Sequence, residues 1–222
     1  MIKQLFLSLC LVVGSAKTVQ AQLGLLKRAP INLVADLGIS GLRSAPQEME
    51  LIPMQSRSIN IYYMKNVRIS NRISFNVGVG AGMEKYGFAN RVTLVESAGS
   101  AQLVDISQTS VRRSLLAVNY ADLPAEFRFS SGSGRRAFRI AAGGKLGVRV
   151  SSHTKVIYQE GINKYKDDFQ LNPLRYGIYG RVGYSSFSFF GYYGLSELFR
   201  AGKSPQRAAI VPFMLGISLS TF

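Results

Sequence analysis

The feature that most constrains this chain is a strict alternation of apolar and polar side chains with a period of two residues. It is clearest in ISFNVGVGAGME, residues 73–84, where each apolar residue is followed by serine, asparagine, glycine or glutamate. Successive side chains of a β-strand point to opposite faces, so this period predicts a strand with one apolar face. Long segments with the 3.6-residue period of a helix are missing. The sequence therefore predicts an all-β protein.

The alternation divides the chain into eight segments of roughly ten residues or more, the length that a tilted strand needs to cross a membrane. The connections after the second, fourth and sixth segments are short, and the others are longer. Short turns on one rim and long loops on the other are typical of outer-membrane barrels. The sequence predicts an eight-stranded antiparallel transmembrane β-barrel with short periplasmic turns and longer extracellular loops. Its segments are residues 32–41, 58–70, 73–84, 112–129, 137–150, 174–184, 187–199 and 211–222.

The fourth segment changes the parity of its apolar side chains. Leu116 and Tyr120 lie on one face, whereas Leu123 and Phe127 require the opposite register. A β-bulge between Tyr120 and Pro124 would bring both groups to one face, and proline is admitted in strands mainly at bulges or edges. We therefore expect a bulge at this point.

The amino terminus, MIKQLFLSLCLVVGSAKTVQAQ, has the three parts of a secretory signal peptide. Lys3 supplies the positive charge, residues 5–13 the apolar run, and residues 19–21 a small-residue cleavage site. We expect residues 1–21 to be a cleaved signal and residues 22–222 to form one outer-membrane β-barrel domain. Cys10 is the only cysteine of the sequence and would leave with the signal. The mature chain would then have neither disulfides nor thiolate metal sites.

A membrane barrel turns its apolar face to lipid and its polar face to the lumen. Charged residues on the polar registers are expected to form a network of ion pairs, because an isolated buried charge is costly. An eight-stranded barrel is just wide enough for side chains to fill it, so we predict a plugged interior and no diffusive pore. The predicted members of this lumen charge network are Asp36, Arg68, Glu84, Asp122, Glu126, Arg128, Arg139, Lys145, Arg149, Arg175 and Arg181.

The formal charge of +15 raises the alternative of a nucleic-acid surface, for which RYGIYGRVGY at residues 175–184 has a suitable composition. Such a surface gathers basic side chains on one accessible face. The two-residue period instead sends Arg175 and Arg181 into the lumen and Tyr176 and Ile178 towards lipid. We therefore expect no nucleic-acid partner. Other lysines and arginines in or beside the long loops could meet lipopolysaccharide phosphates or could simply be solvated.

Aromatic residues near the strand ends are expected to contribute to girdles at the two membrane interfaces. These residues are Tyr62, Tyr63, Tyr86, Phe88, Tyr184, Phe187, Tyr192, Tyr193 and Phe199.

Side chains that carry chemistry are sparse. His153 is the sole histidine and follows Ser151 and Ser152, but no nucleophile motif surrounds these residues. GVGAG lies inside an alternating strand with no following helix, so it does not fit a nucleotide-binding loop. No histidine, cysteine or carboxylate cluster has the spacing of metal ligands. We predict no catalytic, cofactor-binding or metal site.

Three stretches of the chain resemble the PorT-type outer-membrane β-barrel family: SRSINIYYMKNVRISNRISFNVGVGAGMEKY, NYADLPAEFRF and LNPLRYGIYGRVGYSSFSFFGYYGLSELF. The resemblance implies an eight-stranded barrel, similar to OmpX, in the outer membrane of a Gram-negative bacterium. The namesake of the family is similar to a component required for type IX protein secretion, whereas most members have no assigned activity.

These observations predict a small outer-membrane protein with a structural or accessory role, exerted through its extracellular loops, and not an enzyme. The expected partners are outer-membrane lipid and lipopolysaccharide, the barrel-assembly machinery during insertion, and envelope or secretion proteins. We expect a monomer without a cofactor. Two alternatives stay open. One is a PorT-like accessory of type IX secretion or gliding, and the other is a lipid A-modifying enzyme, because such enzymes also build serine and histidine sites on eight-stranded barrels.

Overall fold

A computed structural model describes residues 31–108, 111–132, 136–159 and 161–221 of the chain. The predicted signal peptide, residues 1–21, lies outside them. The ordered elements of the described residues are almost entirely β-strands: β1 (Ile31–Arg43), β2 (Arg57–Arg68), β3 (Ile73–Phe88), β4 (Val92–Ser97), β5 (Ser100–Asp105), β6 (Val111–Ser130), β7 (Phe138–Tyr158), β8 (Ile162–Lys166), β9 (Leu174–Tyr184), β10 (Phe187–Gly194) and β11 (Val211–Ser220).

Eight of these strands form one closed antiparallel barrel. Neighbours in the order β6, β3, β2, β1, β11, β10, β9 and β7 are hydrogen-bonded, and β6 also pairs with β7 to complete the ring. Closure gives every barrel strand a partner on both sides, as backbone polar groups require where water is absent. The predicted eight-stranded antiparallel barrel is confirmed. Each predicted segment overlaps one barrel strand, but β3 and β7 extend beyond their segments on the long-loop side, and β10 ends at Gly194, before the predicted residue 199.

No helix among the described residues combines the length and the apolar character needed to cross a bilayer.

The two-residue period reappears as alternating exposure along the barrel strands. In β9, Leu174, Tyr176 and Ile178 are exposed. Arg175 and Gly177, which lie between them, are buried. The same pattern on the other strands produces a continuous apolar outer surface. Large exposed side chains on this surface include Leu37, Ile61, Val79, Phe127, Ile140, Phe189 and Leu215.

The predicted aromatic girdle is correct for only part of its members. Tyr63, Tyr184, Phe187 and Tyr193 are exposed on the outward face. Five others are buried, and their assignment to a girdle was wrong: Tyr62, Tyr86, Phe88, Tyr192 and Phe199. Tyr62 and Tyr192 occupy inward positions of their strands, and the other three pack in a core beyond the barrel.

The two rims differ as the sequence predicts. Short connections join β2 to β3, β6 to β7 and β9 to β10 at one rim, which we call the short-turn rim. At the opposite rim, four long loops join them: L1 (44–56), L2 (89–110), L3 (159–173) and L4 (195–210). The β4–β5 hairpin lies within L2, and β8 lies within L3 and pairs with the upper part of β7.

The described residues of the long loops fold into one compact cap over the barrel. The cap has its own apolar core, built from Met49, Tyr86, Phe88, Val92, Leu94, Leu116, Val118, Tyr120, Phe169, Leu171, Leu198, Phe199 and Ile210. Hydrogen bonds tie the loops together in sequence: Asn90 Nδ2 donates to Gln47 O at 2.9 Å, Gln170 Nε2 to Glu96 Oε1 at 2.5 Å, and Asn172 N to Leu198 O at 2.9 Å. The cap therefore closes the long-loop mouth of the barrel.

The predicted bulge in β6 is wrong. β6 keeps a single parity, because Leu116, Tyr120, Asp122 and Glu126 all point inward. The inward face changes from apolar to charged along the strand because its upper part lines the cap core and its lower part lines the lumen. The extra residue lies on the partner strand: Asn119 pairs with Ser151 and Tyr120 with Arg149, which leaves Val150 of β7 without a partner on β6.

Candidate functional site

The lumen contains two clusters of buried ion pairs. The upper cluster, nearer the cap, is centred on Arg175 of β9. Its guanidinium forms ion pairs with Glu84 and, at 2.7 Å, with Asp122. Lys145 Nζ lies 3.8 Å from Asp122 Oδ2 and donates to Tyr62 OH at 3.2 Å. These groups come from β2, β3, β6, β7 and β9, so the cluster connects strands around most of the barrel wall.

The lower cluster, nearer the short-turn rim, is centred on Arg181 of β9. Its Nη2 lies 2.9 Å from Asp36 Oδ2 on β1, and its Nη1 forms an ion pair with Glu126 on β6. Glu126 also pairs with Arg128 at 2.5 Å and accepts a hydrogen bond from Asn76 Nδ2 at 3.3 Å. Arg181 therefore links β9 across the lumen to β1 and β6, neither of which is its neighbour in the sheet.

Inward glycines provide the space that the arginine side chains occupy. A Cβ atom on Gly82 would lie 2.7 Å from Arg175 Nη2 and 2.9 Å from Asp122 Oδ2. A Cβ atom on Gly147 would overlap Asp122 Oδ1 and lie 2.9 Å from Arg175 Nε. Gly82 and Gly147 thus leave room for the Arg175–Asp122 pair.

Aromatic rings fill the remaining space around the charges. The Arg175 guanidinium lies 3.6 Å from the ring centroid of Tyr120, and Lys145 Nζ lies 4.3 Å from that of Tyr192. Arg181 lies 4.5 Å from the ring centroid of Tyr179. Cation–π contacts of this kind stabilise a cation that has lost its water shell. The arrangement buries these charges among aromatic rings and suits a structural plug.

The ion pairs of the two clusters are balanced in charge. Arg175 and Lys145 face Glu84 and Asp122 in the upper cluster, and Arg181 and Arg128 face Asp36 and Glu126 in the lower one. The lumen clusters therefore account for none of the excess of 27 basic over 12 acidic residues. That excess lies on the rims, on the cap and in the residues that the structure does not describe.

Eight of the eleven residues predicted for the lumen network are thus brought together in these two clusters. Arg149 is only partly buried and pairs with Asp168 of L3, where Arg200 also lies 2.8 Å from that carboxylate. Arg139 is half-buried at the short-turn rim, where its Nη1 donates to Ser185 O. Arg68 is exposed, and its placement in the network was wrong. It is the last residue of β2, and inward-facing side chains at this end of the strand are exposed to water.

Several polar side chains in the clusters were not identified from the sequence. Tyr62 OH donates to Asp122 Oδ2 at 3.4 Å, Tyr86 OH donates to Glu84 Oε2 at 2.5 Å, and Asn76 contacts Glu126 as described. The signal was present for Tyr62, because it shares parity with the polar Asn60. The same signal was present for Tyr86, which shares parity with Glu84 two residues before it on β3.

His153 has no catalytic partners among the described residues. Ser151 Oγ accepts from Asn119 Nδ2 at 2.9 Å, while Ser152 Oγ donates to Asp167 O at 2.6 Å and accepts from Arg149 at 2.9 Å. Both hydroxyls are therefore committed to structural hydrogen bonds. Within the described ranges, no group of three or more histidine, cysteine or acidic side chains is placed to hold a metal ion.

An apolar groove of about 1070 Å³ lies outside the lumen, between L1 and the outward face of β1 and β11. Ile39 and Leu215 form part of its floor, and Ala45, Pro46 and Leu51 form its wall. The groove is continuous with the lipid-facing surface below it.

Comparison with known proteins gives one family and several similar folds. The model of a family described as "Outer membrane protein beta-barrel domain" matches residues 20–200, which include every barrel strand except β11. No curated protein matches the chain.

The chain is also similar to two solved structures at low sequence identity. Ail, the attachment invasion locus protein of Yersinia pestis, is 13% identical over 87% of this chain and 99% of Ail, with a TM-score of 0.40. Neisserial surface protein A is 10% identical over 86% of this chain and 96% of its own, with a TM-score of 0.40.

Proposed function

The chain belongs to the outer membrane protein beta-barrel domain family, and from that premise we propose that it is a structural or accessory protein of the outer membrane with a sealed lumen. In this proposal, the barrel holds the cap at the cell surface and the cap contacts other envelope components. The protein acts as a monomer and without a cofactor. The balanced, buried ion pairs of the lumen are the observation that carries the proposal, because a transport pathway would require a continuous aqueous channel.

Conductance measurements test the sealed lumen. Folded protein inserted into planar bilayers is expected to produce no discrete ion-conducting steps, because two layers of ion pairs and the apolar cap core block the path. Folding of the same preparation is verified by a shift in gel mobility between unheated and boiled samples. Reproducible steps from a preparation that shows this shift would contradict the proposal.

The cap is the part of the molecule best suited to contact partners. Its loops are packed on a common core, so its outer surface is preorganised and binding would not have to order four separate loops. Photocrosslinkers placed at exposed Gln102 in the cap are expected to capture envelope proteins or lipopolysaccharide. The same crosslinker at exposed Arg72 on the short-turn rim is the matched control.

A role in type IX secretion or gliding is the finer alternative, and the resemblance to PorT-type barrels supports it. Deletion of the gene in the native bacterium is then expected to leave secretion substrates inside the cell. Crosslinked secretion components should co-purify with the cap variant and not with the rim control. Normal secretion in the deletion strain would remove this alternative and leave the structural role in place.

A lipid-modifying activity is the less supported alternative, because Ser151 and Ser152 are engaged elsewhere and no carboxylate contacts His153 among the described residues. The lipid A profile of a His153→Ala strain is expected to equal that of the parent strain. Loss of one lipid A modification in this variant would establish an enzyme.

A further inference from the structure

One surface of the sheet that extends above the lipid-facing part of the barrel carries a group of basic side chains. Beyond the membrane-spanning part of β7, residues 138–150, strands β3, β6, β7 and β8 continue upward as one sheet. We call one surface of this sheet the basic face. It consists of Lys85, Arg113, His153, Lys155, Lys164 and Lys166.

The strand registers place these side chains together. One row across the sheet consists of Lys85, Ala117, His153 and Lys166, each opposite the next. In the following row, Leu115 lies opposite Lys155, which lies opposite Lys164. Directly opposed residues have Cβ atoms about 5 Å apart and point to the same side of the sheet. The rows therefore bring four lysines and a histidine onto one surface.

The bulge at Val150 determines which surface becomes basic. Below it, Leu146 and Val148 of β7 face lipid. Above it, Thr154 and Val156 are buried beneath the cap, and His153 and Lys155 point outward. If the same residues alternated through this point without a bulge, Thr154 and Val156 would continue the lipid-facing register and Lys155 would point at the cap core. The basic face is thus the upward continuation of the lipid-facing surface.

The positive charge of this face is uncompensated within the described residues. No carboxylate there forms an ion pair with any of its six members, and Asp168 nearby is occupied by Arg149 and Arg200. Directly opposed like charges such as Lys155 and Lys164 are destabilising. Partial burial, followed by the charges of Lys164, Lys166, Lys85 and Lys155, lowers the pKa of His153. An anionic ligand would relieve this repulsion.

We propose that the basic face binds the phosphate groups of the outer-leaflet glycolipid, with the acyl chains lying on the apolar surface below. The inference rests on the proposed placement of the cap outside the cell, and it names a lipid partner for the cap. Lipid is favoured over a protein or soluble ligand because the face continues the lipid-facing surface without a break. A lipid headgroup would lie at this height whenever its acyl chains contact Leu146, Val148 and Val150.

The test compares lipids that differ only in phosphate. Mature protein is reconstituted in phosphatidylcholine vesicles, and its relative association constant is measured with spin-labelled lipid A, either bisphosphorylated or dephosphorylated. We expect a preference for the bisphosphorylated form that weakens with added salt. Lys155→Gln/Lys164→Gln should reduce this preference about fivefold for each lysine removed.

A matched variant controls for net charge. Lys203→Gln/Arg207→Gln removes two cations from another part of the cap and should change the preference less than about twofold. An equal loss in both double variants, or equal association of the two lipids, would overturn the proposal. Displacement of the lipid by an excess of inorganic phosphate or of a soluble sulfated saccharide would replace it with a general anion site. None of these results bears on the sealed lumen, which the conductance measurement tests separately.

Discussion

At the scale of single residues, Arg181 shows that burial determines how much a charge contributes to the stability of the barrel. It sits between Asp36 and Glu126 with little exposure, so its removal leaves two buried carboxylates with fewer counter-charges. Arg181→Leu is expected to lower the free energy of unfolding by about 3 to 5 kcal/mol. Urea titration followed by the gel-mobility shift measures this change in a chain that has no tryptophan.

Arg68→Leu is the matched control for this prediction. The same substitution at an exposed position of the short-turn rim should change the unfolding free energy by no more than about 0.5 kcal/mol. Similar losses in both variants would show that arginine stabilises the barrel through net charge and not through the lumen pairs.

Two glycines of β7 give a second prediction at this scale. Gly147→Ala inserts a methyl group against the Arg175–Asp122 pair and should cost about 1 to 3 kcal/mol of unfolding free energy. Gly144→Ala lies on the lipid side, where the nearest atom would be 3.6 Å away, and should be neutral within about 0.5 kcal/mol. Urea titration of both variants distinguishes a packed lumen from a general intolerance of β7 to alanine.

The two-residue period predicted whether a residue faces the lumen or the outside of the barrel. It did not predict how far along the barrel axis the residue lies. Parity assigned Arg68 and Arg181 to the same face, yet one lies in water and the other among carboxylates. The difference is their height along the strand, which depends on where each neighbouring strand begins. No residue pattern within β2 or β9 contains that information.

At the scale of elements, strand β7 shows how one extra residue changes which side chains of a strand face outward. Deletion of Val150 should remove the bulge and restore regular alternation, with Arg149 still inward, so that Val156 stays inward and Lys155 stays outward. In a Cys10→Ser background, maleimide should therefore label Lys155→Cys and spare Val156→Cys both with and without the deletion. Val150→Ala keeps the residue count and the bulge and should give the same labelling. Exchanged labelling after the deletion would mean that Val150 is not the extra residue of the hairpin.

The packing of the loops could not be predicted from a local pattern, as the strands could. Their lengths predicted which rim they occupy, and that prediction is confirmed. Leu116, Val118 and Tyr120 had the composition of a lipid-facing run, and the sequence contained no sign that L1, L2, L3 and L4 would cover them. Their burial depends on contacts such as the bridge between Leu171 and Phe199, residues that are distant in sequence.

The whole molecule separates its charges by compartment. The lumen clusters are balanced, the barrel surface is apolar, and the basic excess lies on the rims, on the cap and in the residues that the structure does not describe. The net charge of the sequence therefore does not describe the barrel interior.

Orientation in the membrane is the prediction that belongs to this scale. In intact cells and a Cys10→Ser background, a membrane-impermeant maleimide should label Lys164→Cys on the cap and leave Arg72→Cys on the short-turn rim unlabelled. Both positions are exposed, so they differ in compartment and not in accessibility to solvent. Permeabilised cells should show labelling of both. The opposite pattern in intact cells would place the cap in the periplasm.

The sequence by itself determined the class of fold, the number of barrel strands, the side to which most strand residues point and the difference between the rims. These features follow from a local rule, because a strand in contact with lipid must show its apolar side chains at every second position. The tertiary structure alone decided which charges pair, that the loops join in a cap, and that Val150 carries the bulge. These depend on strand registers and on contacts between residues far apart in the chain, and a closed ring fixes them only when all eight strands are in place.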